Sequence, residues 1–309
     1  LDGSIWALAD YCRIAPEHLL ADVTGGEMVS AYAGLLDMGE RSVLWFNRPV
    51  GCLDSFEWRL VENFVSAHGT PQQPCQPVLS EIPAGHDAAI TMRLDCDEDV
   101  ASARRLWEDY ESWGVPLSLA IHTEVVKGRA HDGFIREVAA AGGTIMGHSA
   151  THAPHWGGSY EAALAEAATS RADIAGITGM PPDYAVSPFH QTTGYALQAL
   201  ASAGYGGCIG GVINADPRFI MARGGITAAH PEMVFHTQQC MLHGDCLLAD
   251  GDPLASYKLA FDLAYKSRSL FGYLDHPFSE RYQYGWESEA VRSGAHQALL
   301  GYIRGVARK

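Results

Sequence analysis

The segment Thr144-Ile145-Met146-Gly147-His148-Ser149-Ala150-Thr151-His152 joins a short apolar run to two histidines four residues apart. If the histidine segment forms a helical turn, both imidazoles lie on one face, because an α-helix repeats every 3.6 residues. Neutral imidazole is a common ligand of zinc-like ions, and two rings at this spacing can share one ion. An isolated pair of this kind also occurs as surface or capping histidines. A metal site therefore needs further ligands from the rest of the chain.

Short apolar runs alternate with helical patterns from His86 onward. Strands are predicted at 88–94, 116–121, 144–146, 184–186, 207–209, 232–235 and 270–274. Helices are predicted at 100–113, 132–141, 159–175, 193–203, 255–267 and 287–304. This alternation implies βα units and a mostly parallel sheet, here long enough for a barrel.

The first 80 residues form a smaller N-terminal α/β segment in this prediction. Helical signals occur at 16–20 and 28–36, a strand at 42–46 and a helix at 56–67. The loop 69–83 is rich in Pro and Gln without periodicity, which is typical of a boundary. We therefore expect an N-terminal segment of unknown role at 1–80 and the main domain at 81–309.

Composition narrows the class of protein. A net charge of −15 disfavours nucleic acids and anionic membranes as partners, and no apolar run is long enough for a membrane span. The seven cysteines are scattered and contain no C-x-x-C, which favours free thiols in a reducing compartment. No signal peptide is visible at the start of the sequence. The expected location is the cytoplasm.

Polar residues follow the predicted strands. Arg93, Asp95 and Asp97 project on the same side of an extended chain, while Glu98 and Asp99 are expected to cap the following helix. Sites in parallel α/β folds are built at the carboxyl ends of strands. Two histidines and one carboxylate leave a position open for water, and a second carboxylate can take its proton.

Four motifs resemble those of the polysaccharide deacetylase family, also called the NodB-homology or carbohydrate esterase 4 group. Residues 94–97 resemble its first motif in a D-x-D form, and 148–152 match H-[ST]-x-x-H. Residues 186–189 meet R-x-P-[YF] in part, and 274–276 match the apolar strand that ends in L-x-H. The resemblance covers about residues 86–280.

The resemblance implies a distorted (β/α)7 barrel of the NodB-homology type that binds one divalent metal. Zn²⁺ is the first candidate, while Co²⁺, Ni²⁺ and Mn²⁺ suit the same ligands. By motif position, Asp97, His148 and His152 are the expected ligands. Asp95 is the expected general base and His276 the expected general acid. Because Cys96 alters the register of the motif, the roles of Asp95 and Asp97 can also be exchanged.

Val186 stands where the family has an arginine that steadies the catalytic aspartate. Our hypothesis is that Arg93, two residues before Asp95, supplies the missing charge. Arg281 and Arg218 are the alternatives.

Other residues are candidates for contact with the substrate. The resemblance implies that the backbone N–H of Phe189 helps to hold the developing oxyanion, and Pro188 has no N–H to give. His155, Trp156, His190 and Arg281 are candidates to line the substrate site, and packing is the alternative role. The carboxylate that orients His276 in the family has three candidates, namely Asp216, Asp245 and Asp275.

The expected protein is a metal-dependent hydrolase of non-peptide C–N bonds, in particular an N-deacetylase. Its expected substrate is an acylated amino sugar or a glycan or glycolipid intermediate. A deformylase or another small-amide amidohydrolase is the first alternative, and a non-catalytic glycan-binding protein is the second. The oligomeric state is left open.

Overall fold

The computed structural model describes residues 10–51, 57–78, 80–210, 224–226, 230, 232–238 and 240–307. The chain divides into two compact units, Leu1–Ser80 and Glu81–Lys309. Within the described ranges no helix is both long and apolar enough to cross a membrane. The six cysteines in these ranges are all free, as their scattered spacing predicts.

The first unit contains a three-stranded antiparallel sheet and one helix. Its elements are β1 (Leu19–Gly25), β2 (Met28–Asp37), β3 (Ser42–Phe46) and α1 (Trp58–Ala67). The strand predicted at 42–46 is confirmed, and so is the helix predicted at 56–67 over its described part.

The helical signal at 16–20 is confirmed in part, as a one-turn 3-10 helix at Pro16–His18. The helix predicted at 28–36 is wrong, because a β-hairpin of β1 and β2 occupies this region. Gly25 pairs with Met28, so the chain reverses over the two residues between them. Gly26 adopts a φ of +63°, which glycine accommodates without strain. Strand pairing therefore overrides the helical propensity of the Ala- and Leu-rich run.

The second unit alternates strands with helices along the chain. Its strands are β4 (Ile90–Cys96), β5 (Ser118–Ile121), β6 (Ile145–Gly147), β7 (Tyr184–Val186), β8 (Gly207–Gly210), β9 (Gly225–Ile226), β10 (Val234–Thr237), β11 (Cys240–Met241) and β12 (Phe271–Asp275). Its helices are α2 (Arg104–Ser112), α3 (Asp132–Ala140), α4 (Tyr160–Thr178), α5 (Gly194–Ser202), α6 (Ala255–Ser267) and α7 (Glu289–Val306).

These strands form one sheet in the order β11-β12-β4-β5-β6-β7-β8-β10-β9. Eight of the described strands run parallel, and β9 is antiparallel to its neighbour β10. The sheet curls into a half-barrel, which confirms the predicted distorted α/β barrel. All seven predicted strands lie within two residues of their predicted bounds. The two-residue strands β9 and β11 are too short to leave a pattern in the sequence.

The core lies between the sheet and its helices. Leu94 and Cys96 of β4 are fully buried in a cluster that includes Leu106 of α2 and Phe261 of α6. Because successive side chains of a strand point to opposite faces, Arg93 and Asp95 project to the other, concave face. The packing of β4 thus brings polar side chains to the carboxyl edge of the sheet.

Candidate active site

Three side chains converge at the carboxyl edge of the sheet. Oδ1 of Asp97 lies 3.2 Å from Nε2 of His148 and 3.4 Å from Nε2 of His152. The two Nε2 atoms are 3.1 Å apart. The three residues that the sequence predicts as ligands therefore place their donor atoms at the corners of a nearly equilateral triangle.

This triangle fits a divalent metal ion. Oδ1 of Asp97 is buried and has no hydrogen-bond partner among the described residues, which costs free energy unless a cation satisfies it. Oxygen and nitrogen ligands lie about 2.0–2.2 Å from zinc, so a tetrahedral site separates its donors by about 3.3–3.6 Å. Octahedral geometry at similar bond lengths separates neighbouring donors by about 3.0 Å. The observed spacing is compatible with both geometries.

A backbone contact fixes which nitrogen of His148 faces the triangle. Nδ1 of His148 lies 3.0 Å from the carbonyl oxygen of Val186. A carbonyl only accepts, so Nδ1 carries the proton and Nε2 keeps its lone pair for a metal. Burial by itself raises the pKa of Asp97, but the neighbouring imidazoles of His148 and His276 hold this pKa well below its ordinary value. Asp97 is therefore an anion and a candidate ligand.

The loop that carries the two histidines is not a helical turn. Ser149 and His152 adopt left-handed φ values of +62° and +54°. Glu166 of α4 holds the loop, because its carboxylate accepts the backbone N–H of Ala150 at 2.9 Å and that of Thr151 at 2.8 Å. The hydroxyl of Thr151 donates to the same carboxylate at 2.7 Å. Sequence reasoning missed Glu166, since an acid in an Ala-rich helix gives no sign of this contact.

Glycine is required directly before the first histidine. A Cβ at Gly147 would overlap the hydroxyl of Tyr205 and lie 2.9 Å from Oγ of Ser170 in α4. α4 therefore packs directly against the end of β6, which brings Glu166 within reach of the loop.

The carboxylate of Asp95 is paired with Arg93 from the same strand. Nε and Nη2 of Arg93 donate to Oδ1 and Oδ2 of Asp95 at 2.6 and 3.1 Å, and each residue is 2% exposed. Nη1 of Arg93 donates to the side-chain carbonyl of Gln238. Burial by itself raises the pKa of Asp95, but the charge of Arg93 lowers it below its ordinary value. Arg93 thus occupies the place that our hypothesis gives it.

The alternative arginines have other surroundings. Arg281 is exposed and its guanidinium lies 4.9 Å from the ring centre of Tyr282, while Arg218 lies outside the described residues. The side chain of Cys96 packs in the core, so Asp95 and Asp97 share one face, and Asp97 is the one beside the histidines.

His276 is held by its backbone and its ring. Its N–H donates to Oδ1 of Asp275 at 2.8 Å, and its carbonyl accepts from Nη2 of Arg292 at 2.7 Å. The ring stacks on Tyr284 with centres 4.4 Å apart, and Nε2 lies 3.4 Å from Oδ2 of Asp97. Burial by itself lowers the pKa of His276, but Asp97 and Asp95 raise it above its ordinary value. The ring therefore borders the metal triangle and favours its cationic form.

The expected carboxylate does not occupy Nδ1 of His276. Among the described residues this nitrogen contacts Nε2 of His243, at 2.8 Å. Asp275 binds the backbone N–H of His276 instead, and Asp216 lies outside the described residues. Asp245 lies in the loop with His243 and makes no described contact with the ring of His276. The sequence prediction named Asp245 in this loop but assigned no role to His243.

The candidate substrate residues differ in accessibility. Trp156 is 1% exposed and donates from Nε1 to Oγ of Ser187 at 3.2 Å, so packing is its role in this structure. Phe189 is 52% exposed, and its ring centre lies 4.5 Å from that of His152. His155 is exposed, and His190 is partly buried with Nδ1 lacking a partner in the described residues. The N–H of Phe189 likewise makes no hydrogen bond in the described part of the chain.

Left-handed backbone conformations cluster around the site. Six non-glycine residues there have positive φ values between +50° and +62°, namely Ser149, His152, His155, Trp156, Phe189 and His190. Such conformations are strained for L-residues and persist where surrounding contacts enforce them, which is common at functional sites.

The two acidic residues that follow Asp97 make different contacts. Asp99 accepts the N–H of Ala101 at 2.8 Å and caps the following helical segment as expected. Glu98 does not cap; it accepts the hydroxyl of Tyr284 at 2.6 Å, because the loop 279–286 folds back over the strand end.

Solved structures share this fold. No protein-family model matches the sequence, and no curated protein matches it either. A putative polysaccharide deacetylase from Mycobacterium smegmatis matches with a TM-score of 0.54 at 14% identity, covering 74% of this chain and 88% of that chain. Puue allantoinase matches with a TM-score of 0.55 at 13% identity, with the same two coverages. The predicted resemblance to the polysaccharide deacetylase group is thereby confirmed at the level of the fold.

Proposed function

We propose that the protein is a divergent member of the polysaccharide deacetylase family and a metal-dependent hydrolase of non-peptide C–N bonds. The observation that carries this proposal is the buried, unpartnered Oδ1 of Asp97 facing Nε2 of both His148 and His152. The paired anion Asp95 and the ring of His276 border this cluster.

Asp97, His148 and His152 would hold the ion. A bound divalent ion would activate water and polarise the acyl carbonyl. Asp95, kept anionic by Arg93, accepts the proton of the attacking water. His276 donates a proton from Nε2 to the leaving nitrogen.

The backbone N–H of Phe189 supplies a donor for the developing oxyanion, because no described residue occupies it. The exposed ring of Phe189 beside His152 offers an apolar surface at the entrance to the cluster. An N-acyl group bound there would place its carbonyl between the donor and the metal ligands.

The substrate class that we favour is an acylated amino sugar, or a glycan or glycolipid intermediate that carries one. The motif resemblance and the Mycobacterium smegmatis structure support this choice. The match to Puue allantoinase, whose name points to allantoin, favours a small-amide amidohydrolase or deformylase as the second candidate. The third candidate is a non-catalytic glycan-binding role. Its main support is that Val186 replaces the arginine of the family motif, and the Arg93–Asp95 pair weakens this support.

An assay of acetate and formate release from acylated sugar nucleotides, oligosaccharides and small amides tests this proposal. We expect release that a chelator abolishes and that added Zn²⁺ or Co²⁺ restores. Asp95→Asn keeps the shape of the side chain but removes the base, so it should bind metal and lose at least about 100-fold in kcat. Turnover of small amides alone would favour the second candidate.

Two results would contradict a metal-dependent hydrolase. The first is a folded, metal-loaded protein that releases neither acid from any substrate and binds glycans, which favours the third candidate. The second is full activity in His152→Ala with no metal bound. Zn²⁺ as the native ion, action in the cytoplasm and the absence of nucleic-acid partners stay predictions from sequence.

A further inference from the structure

His276 meets an imidazole where a carboxylate is expected. Nε2 of His243 lies 2.8 Å from Nδ1 of His276, the ring centres are 4.9 Å apart, and His243 is 7% exposed. Among the described carboxylates, that of Asp275 lies nearest to His243, with Oδ1 3.6 Å from Nε2 of His243. That separation is beyond hydrogen-bond length, and the same oxygen already accepts the N–H of His276 and Nε1–H of Trp286.

Two loops in close contact fix His243 in this place. Gly244 donates its N–H to the carbonyl of Tyr284 at 3.0 Å. A Cβ at Gly244 would overlap the backbone of Gly285, and a Cβ at Gly285 would overlap that of Asp245. The loops therefore pack backbone against backbone, so that His243 contacts the edge of the His276 ring while Tyr284 covers its face.

A hydrogen bond between two ring nitrogens needs one donor and one acceptor. His276 carries a proton on Nε2 if it protonates a leaving nitrogen, and its cation carries a second proton on Nδ1. The acceptor is then Nε2 of a neutral His243, whose own proton sits on Nδ1. Burial lowers the pKa of His243 to about 4 against the raising effect of Asp275, which agrees with a neutral ring.

We propose that His243 is a positioning residue that accepts the Nδ1–H of His276 and so keeps Nε2–H of His276 directed at the substrate nitrogen. The inference rests on the proposed function for the role of His276, but the hydrogen bond itself can be tested without turnover. An imidazole acceptor orients the acid without adding another negative charge beside Asp97 and Asp275. This arrangement distinguishes the chain from relatives that use a carboxylate.

Nitrogen NMR of the full-length protein with ¹⁵N-labelled histidine tests the hydrogen bond directly. Assignments come from His243→Gln and His276→Gln. Near neutral pH we expect His243 to be protonated on Nδ1 and bare on Nε2, with a proton on Nδ1 of His276. A spectrum in which His243 carries its proton on Nε2 would overturn the proposal, whatever the enzyme turns over.

Steady-state kinetics test whether His243 positions His276 for catalysis. His243→Leu removes the acceptor at similar size and should lower kcat about 10–100-fold, with KM and metal content unchanged. His243→Gln retains an acceptor and should recover most of the loss, and free imidazole should partly rescue His243→Ala. The exposed His86→Leu is the matched control and should behave like the wild type. If His243→Gln is as slow as His243→Leu, or if metal content falls in both, the positioning role is wrong.

If the wild type turns over no substrate while the NMR result is as expected, the proposed function fails and the hydrogen bond stands. If the wild type is active and the tautomers are reversed, the proposed function stands and His243 loses this role. The two failures are therefore distinguishable.

Discussion

Two buried arginine–aspartate pairs flank the candidate site, and they differ in how completely the carboxylate is satisfied. Asp95 receives both of its described hydrogen bonds from a single guanidinium, that of Arg93. Asp275 receives four from different groups: Nε of Arg292, Nε2 of His296, Nε1 of Trp286 and the N–H of His276.

The difference suits two tasks. A carboxylate with lone pairs to spare can take a proton from water, as a general base must. A carboxylate saturated by fixed donors has no such capacity, and it serves instead to hold the backbone of His276. Arg292 completes that anchor by donating to the carbonyl of His276. In the proposed mechanism, the Arg93–Asp95 pair therefore supplies the base, and the Arg292–Asp275 pair positions the acid.

Breaking the saturated pair should have the largest effect on stability. Arg292→Met leaves Asp275 as a buried charge without its cation, which costs about 3–5 kcal/mol. Chemical denaturation should show this loss in the free energy of unfolding. Arg105→Met is the matched control, because the side chain of Arg105 is 66% exposed and its pair with Asp109 contributes about 1 kcal/mol or less. Equal losses in the two variants would contradict the anchoring role.

The Arg292–Asp275 pair also predicts how the stability of the protein depends on pH. Burial by itself raises the pKa of Asp275, but Arg292 and His296 lower it well below its ordinary value. A group with a lowered folded-state pKa stabilises the protein above its unfolded pKa of about 3.9, and the contribution is lost as the pH falls. The stability gap between the wild type and Arg292→Met should therefore narrow below about pH 4. A gap that widens in acid would show that another group controls it.

Weakening the base-side pair should affect activity more than stability. Arg93→Lys keeps the charge but loses the two-point contact with Asp95, so one hydrogen bond is lost at about 1 kcal/mol. We expect kcat/KM to fall about 10-fold or more while metal content stays unchanged. Gln238→Leu removes the third hydrogen-bond acceptor of the Arg93 guanidinium and should lower kcat/KM by a smaller factor. Wild-type kcat/KM in Arg93→Lys would mean that Asp95 does not depend on this pair.

The sequence predicts the barrel well because each of the seven predicted strands is a local apolar run between turn residues. The N-terminal hairpin was predicted wrongly because residues 28–36 prefer a helix, and only pairing with β1 makes them a strand. The metal cluster is accessible to sequence reasoning for a related reason. Asp97 and His148 follow β4 and β6 directly, so the parallel sheet brings them together, and His152 lies four residues after His148 in the same loop.

The contacts that hold the cluster are not predictable in this way. Glu166 reaches the histidine loop from a helix, and His243 reaches His276 from the loop after β11, a two-residue strand without a sequence pattern. Tyr284 meets Glu98 across 186 residues of chain. These are single side-chain contacts between distant segments, and neither the hydrophobic periodicity nor the motif spacing of the sequence predicts them. The motif position therefore predicted a carboxylate at Nδ1 of His276, where the fold places an imidazole.

The smallest expected effect separates the two ways in which Tyr284 supports the acid side. Tyr284→Phe removes the hydrogen bond to the exposed Glu98 but keeps the ring stacked on His276. We expect a loss of about 1 kcal/mol or less in unfolding free energy and a change in kcat below about 3-fold. Tyr284→Leu removes the aromatic face as well, and stacking contributes about 0.5–1.5 kcal/mol, so its kcat should fall further. Equal kcat values in the two variants would show that the aromatic face of Tyr284 does not support His276.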